Sequence, residues 1–177
     1  QVPAGMQLVI AMDTLNSGVH FPPETAPADI GWKALAVNLS DLAAMGAQPA
    51  WCTLSLSMPE AQAGFVDGFL DGFLALAAQF DVALVGGDTT RGPLSLTVTV
   101  FGRVPAGLAL TRSGAQPGDL LCVGGELGNA AGALPLVLGQ RSAAAQIAEP
   151  LLGHYWSPQP QLALGMALRG KATSALD

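Results

Sequence analysis

Between Val82 and Val104 two strand-like apolar runs follow one another with no room for a helix between them. The first is Val82-Ala83-Leu84-Val85 and the second is Leu94 to Val104, with Gly86-Gly87-Asp88-Thr89-Thr90 in between. A parallel crossover needs a dozen or more residues, so this spacing predicts a hairpin turning at the glycines. Upstream the pattern alternates strand, helix, strand, helix. A hairpin after two such alternations predicts an α/β sandwich with a mixed or antiparallel sheet packed on helices, not a doubly wound sheet.

The upstream elements are read from periodicity and punctuation. Gln7 to Met12 is a buried strand ended by Asp13, and Thr14 to Phe21 is a polar loop. Pro22, Pro23 and Pro27 keep the next stretch out of a helix. Asp29 suits an N-cap for a helix reaching Met45, which Gly46 closes. Trp51 to Ser57 alternates as a strand, and Glu60 to Phe80 is a long helix. The helix stripe is Phe65, Leu70, Phe73, Leu74 and Ala77; Gly64, Gly68 and Gly72 would let it approach a sheet closely.

After the glycine- and proline-rich stretch 105–118, Asp119 to Val123 reads as a strand and Asn129 opens a helix. The intervening Gly124-Gly125-Glu126-Leu127-Gly128 lacks the full dinucleotide-binding spacing and is read as a structural turn. Two further helices and an entering strand finish the chain. This divides it into residues 1–106 and the beginning of a second domain, 107–177. The chain starts without methionine and stops just after an apolar run, as a piece of a longer polypeptide would.

Composition narrows the partners. Seven Lys and Arg and a net charge of -6 argue against nucleic acid. An acidic protein that handles phosphates needs cations between the like charges. The longest apolar stretch, Ala61 to Phe80, carries Asp67 and Asp71, which argues against a membrane span. Cys52 and Cys122 lie in apolar runs and read as buried free thiols of a reducing, cytoplasmic compartment.

Carboxylates gather at the ends of elements: Asp13 after the first strand, Asp41 on a helix, Asp88 after two glycines, and Asp177. Asp is a hard ligand suited to Mg²⁺ shared with phosphates; solvated turns are the alternative. Asn38 and Asp41 share an otherwise apolar helix face, where a ligand or a structural hydrogen bond would satisfy them. His20 on its loop and Arg112 on the 105–118 stretch are the natural partners for anions.

Several runs resemble those of thiamine-monophosphate kinases, within the aminoimidazole ribonucleotide synthetase-like (PurM-like) superfamily. They are Met12-Asp13-Thr14-Leu15 with Gly18-Val19-His20-Phe21, Asp29-Ile30-Gly31-Trp32-Lys33-Ala34-Leu35 running into Asn38-Leu39-Ser40-Asp41, Gly86-Gly87-Asp88-Thr89-Thr90, and Thr111-Arg112-Ser113-Gly114. The resemblance implies ATP- and Mg²⁺-dependent phosphorylation of thiamine monophosphate to the diphosphate. It implies a homodimer joined through the N-terminal sheets, for which the strands around Trp51 to Ser57 and Leu94 to Phe101 are the expected edges. It implies that Asp13, Asp41, Asp88 and Asp177 bind several Mg²⁺ ions, with Met12 contributing backbone only. Gly87, Asp88 and Arg112 would meet ATP, and His20 the thiamine monophosphate. Ala11 and Met12 stand where the family usually has hydroxyl residues. A related enzyme with another acceptor, or a nucleotide-binding homologue without turnover, is the alternative.

Overall fold

The computed structural model describes residues 2–177; Gln1, the first residue of the expected N-terminal domain, lies outside the described residues. The elements run β1 (Met6–Asn16), α1 (Pro27–Ala44), β2 (Gln48–Met58), α2 (Ala63–Gln79), β3 (Ala83–Arg91), β4 (Ser95–Pro105), α3 (Asn129–Val137), α4 (Ala145–Trp156) and α5 (Leu162–Leu168). The four strands form one mixed sheet in the order β1-β4-β2-β3. β4 is antiparallel to β1 and to β2, while β3 runs parallel to β2. The mixed α/β class expected from the sequence is present.

The expected hairpin is not. β3 continues through Gly86-Gly87-Asp88-Thr89-Thr90 as a strand, and the chain turns later, at Gly92 and Pro93. β2 lies between β3 and β4, so two runs adjacent in sequence are not neighbours. Parallel β3 had already been delivered to β2 by the long α2 crossover, which the spacing rule for hairpins ignores. The expected dimer edges fail for the same reason. β2 and β4 are internal, and β1 and β3 are the edges.

One face of the sheet is covered. Val9 and Leu15 of β1, Leu96, Val98 and Val100 of β4, and Cys52, Leu54 and Leu56 of β2 are buried with Leu35, Leu39 and Leu42 of α1 and Phe69 and Phe73 of α2. Phe69 and Phe73 stack at 5.8 Å. Burying each of these large side chains is worth about 1.5–3 kcal/mol. The period-2 alternation sends the other residues to the uncovered face, where Ile10 and Met12 are 56% and 63% exposed.

α1 begins at Pro27, not Asp29. Proline at N1 sacrifices an N–H that has no intrahelical partner anyway, so the residue expected to exclude a helix starts it. Asp29 falls in the first turn instead. β1 runs past the expected loop start to Asn16 because β4 pairs with it as far as Ser95. α2 starts at Ala63, and its buried face is Phe69, Gly72, Phe73, Leu76 and Ala77; Leu74 is exposed. Gly68 and Gly72 face α1, not the sheet, and Gly64 meets nothing. A Cβ on Gly72 would meet the Ala28 carbonyl of α1, and one on Gly31 of α1 would meet the Phe69 carbonyl of α2.

No strand forms at Asp119–Val123 or at the end of the described chain. Leu120 and Leu121 are 90% and 98% exposed, and Cys122 is exposed rather than buried. A strand is stabilised by its neighbours, and no described segment lies beside this one in a sheet.

Candidate functional site

Three of the four singled-out carboxylates converge where β1, α1 and the last residues meet. Asp13 lies on β1 two residues from buried Leu15, so its side chain leaves on the helix-covered face. Its backbone N–H donates to Asn38 Oδ1 at 2.8 Å, and Asn38 Nδ2 donates to the Ala34 carbonyl at 2.8 Å. Asn38 is 1% exposed. Both ends of its amide are therefore spent on backbone, which settles its role as a structural strut that fixes β1 against α1. Because the Asp13 peptide turns toward α1, ladder alternation turns that of Met12 toward β4. Only the second lone pair of the Met12 carbonyl is left for a cation.

Asp41 follows Asn38 by three residues on the same side of α1. Its carboxyl pKa is pushed up from 3.8 to about 6, first by burial, then by repulsion from Asp177 and Asp13, and by a side-chain hydrogen bond with Asp177. Asp177 and Asp13 thus bring like charge beside Asp41, an arrangement that a bound cation would relieve. No three His, Cys, Asp or Glu among the described residues are gathered closely enough to hold a metal by themselves. Mg²⁺ does not need that; it is ordinarily held by one or two carboxylates, with water and substrate phosphate completing its shell. The Asp41–Asp177 pair fits that donor set.

The route to Asp177 is fixed by the loop after β4. Ala175 N–H donates to the Thr111 carbonyl at 3.2 Å, and the Thr173 hydroxyl donates to Asp119 at 2.6 Å. That hydroxyl, with the Gln116 N–H, holds the Asp119 carboxyl below its usual range. Gly114 is pressed against the Thr173 carbonyl so closely that a Cβ there would collide. Arg112 rides on this loop, exposed, between two points anchored to the Asp177 segment.

His20 is carried by a tight turn after β1. Gly18 takes φ 75°, and the N–H groups of Val19 and His20 both donate to the Asn16 carbonyl. His20 Nδ1 accepts from the Asn16 N–H at 2.9 Å. The neutral ring then carries its proton on Nε2, which faces solvent as a donor. Asn16 is three residues along β1 from Asp13, about 10 Å.

Asp88 stands apart. It is on edge strand β3, opposite Ser55 of β2, on the uncovered face. Ser55 pairs with Thr97 and Asp13 with Val98, so the two acids are nearly level along the strands. They occupy opposite edges, three strand spacings or about 14 Å apart, and opposite faces. A cleft of about 870 Å³ opens beyond Asp88, walled by Met58, Phe65, Thr89, Arg91 and Leu94. It adjoins the strand of Asp88, not the acidic cluster.

The family model described as AIR synthase related protein, N-terminal domain, matches residues 1–104. The chain belongs to this family. The thiamine-monophosphate kinase of Escherichia coli strain K12 is 48% identical over 177 residues, covering 99% of this chain and 54% of that protein. The crystal structure of thiamine-monophosphate kinase from Stenotrophomonas maltophilia K279a superposes with a TM-score of 0.91 at 55% identity, over 98% of this chain and 57% of that one. AaThiL complexed with AMPPCP and TMP superposes with a TM-score of 0.90 at 28% identity, over 97% of this chain and 56% of that one. The resemblance read from the motifs is thus borne out. The chain spans about half the length of the curated relatives it matches. No helix among the described residues is long and apolar enough to cross a membrane.

Proposed function

We propose that the protein carrying this chain is a kinase that transfers the γ-phosphoryl group of ATP to thiamine monophosphate, in thiamine diphosphate biosynthesis. The observation that carries the reading is the Asp13–Asp41–Asp177 convergence, in which burial first, and then the nearness of acids far apart in sequence, push Asp41 up to about 6. The chain that carries it is 48% identical to the E. coli thiamine-monophosphate kinase. One P–O bond forms to an oxygen of the acceptor phosphate as the bond to ADP breaks. The acceptor is already ionised near neutral pH, so no side chain needs to act as general base. Bound Mg²⁺ would supply the charge neutralisation that lets two polyanions meet. Asp41 and Asp177 would hold it, with Asp13 and the Met12 carbonyl beside them. Arg112 would meet the donor phosphates, and His20 Nε2–H the acceptor.

Gly87 would meet the donor phosphates from a second copy, and Asp88 would reach them through a Mg²⁺ ion it helps to hold. The uncovered sheet face presents Leu8, Ile10 and Met12 of β1 beside Phe101 and Trp51. Arg103 lies 5.5 Å over the Trp51 ring with its buried Nε unpaired. A two-fold axis along the strands, laying two such faces together, would set the β3 edge of one copy across from the β1 edge of the other. Residues 1–106 would form this nucleotide- and metal-binding domain, and 107–177 the start of a second. ATP use and the buried thiol of Cys52 suit the cytoplasm.

The test is thiamine diphosphate formation from ATP, Mg²⁺ and thiamine monophosphate by the full-length protein and its Asp88→Asn variant. The wild type should turn over and the folded variant should not. Turnover with some other phosphate acceptor only would contradict the substrate assigned.

A further inference from the structure

The Trp32-Lys33 pair on α1 serves none of the roles above, yet both side chains leave α1 for the same short segment. Trp32 Nε1 donates to the Pro158 carbonyl at 3.0 Å. The Lys33 ammonium lies 3.6 Å from the centre of the Tyr155 ring and 5.8 Å from that of Trp156. Those two rings meet edge to face at 4.6 Å, so the cation is seated on a rigid aromatic corner at the end of α4. Burial lowers the Lys33 pKa. Pro158, Gln159 and Pro160 then form one wall of a cavity of about 160 Å³ whose other walls are Ala36, Val37, Ser40 and Asp177. The contacts of Trp32 and Lys33 therefore fix the wall against which Asp177 approaches Asp41. Farther along α1, Gly165 of α5 packs against the Ala43 carbonyl and Arg169 donates to that of Gly46, closing the same interface.

We propose that Trp32 and Lys33 are positioning residues that set the Asp41–Asp177 spacing and hence divalent-cation affinity. The inference rests on Asp41 and Asp177 being cation ligands. Neither residue touches the cation. Their effect passes through Tyr155 and Pro158, as outer contacts commonly orient metal ligands.

The test uses the full-length protein and reads the Mg²⁺ dependence of its melting temperature without nucleotide, a measurement independent of turnover. Lys33→Met should raise the Mg²⁺ concentration at half-maximal stabilisation about tenfold, the scale seen when an outer contact of a metal ligand is removed. Lys33→Arg keeps a cation on the rings and should restore it to within about twofold. Trp32→Phe keeps the ring and loses only the N–H, and should move the midpoint in the same direction as Lys33→Met while the protein stays folded. An unchanged midpoint in Trp32→Phe and Lys33→Met, with Asp177→Asn weakening Mg²⁺, would overturn the positioning role alone. An unchanged midpoint in Asp177→Asn would overturn the ligand assignment beneath it.

Discussion

Asp41 bears the cost of its burial and of its acidic neighbours. Its folded pKa, about 6, is raised above 3.8, so the fold binds this proton more tightly than the unfolded chain does. Its favourable contribution is complete below about pH 4 and is lost as pH rises through about 6; above that, repulsion within the cluster weighs on the metal-free fold. Asp41→Asn should therefore stabilise the metal-free protein at pH 8 but have little effect at pH 3.5, below both pKa values. The difference should be at most about 1 kcal/mol once solvent screening of this half-exposed group is allowed for. Urea unfolding at the two pH values checks this, and an equal effect at both would contradict it. The acids themselves were legible in the sequence, because each follows or breaks an apolar run, although Asp13 and Asp88 prove to lie within strands and not at their ends. Their grouping was not. Asp13 and Asp88 look equivalent as carboxylates beside strands, and only strand order sends them to opposite edges. Asn38 stood between ligand and strut until both of its hydrogen-bond partners proved to be backbone.

At the scale of elements, α1 and α2 approach through glycines, and this contact sets how α1 lies over β1 and β4. A Cβ on Gly72 would fall 1.9 Å from the Ala28 carbonyl, whereas one on Gly64 of the same helix meets nothing within 4 Å. Gly72→Ala should destabilise by about 3 kcal/mol, since backbone must move to admit it. Gly64→Ala should stabilise by up to about 1 kcal/mol through helix propensity. Chemical denaturation of both variants checks the pair, and equal effects would contradict the packing. The four-residue glycine spacing was visible in the sequence, but its partner was not, because a small-residue stripe fits a sheet or a helix equally well. Likewise the apolar runs located all four strands, while pairing required knowing that β2 intervenes between β3 and β4. Asp119–Val123 has strand composition and no strand. Composition records what a segment can do beside a neighbour, and none of the described residues supplies one.

At the scale of the whole molecule, the covered face holds three acids and the uncovered face holds the fourth. In the assembly we propose, a second copy brings its β3 edge to the first copy's β1 edge and so completes the site. The most direct measurement mixes two full-length variants, Asp41→Asn and Asp88→Asn, each inactive alone, and follows thiamine diphosphate formation after subunit exchange. In a two-fold dimer with shared sites, half of the dimers are mixed and one of their two sites is intact, so about a quarter of wild-type activity should return. No recovery in demonstrably mixed dimers would mean that each chain completes its own site, and the shared assembly would be wrong.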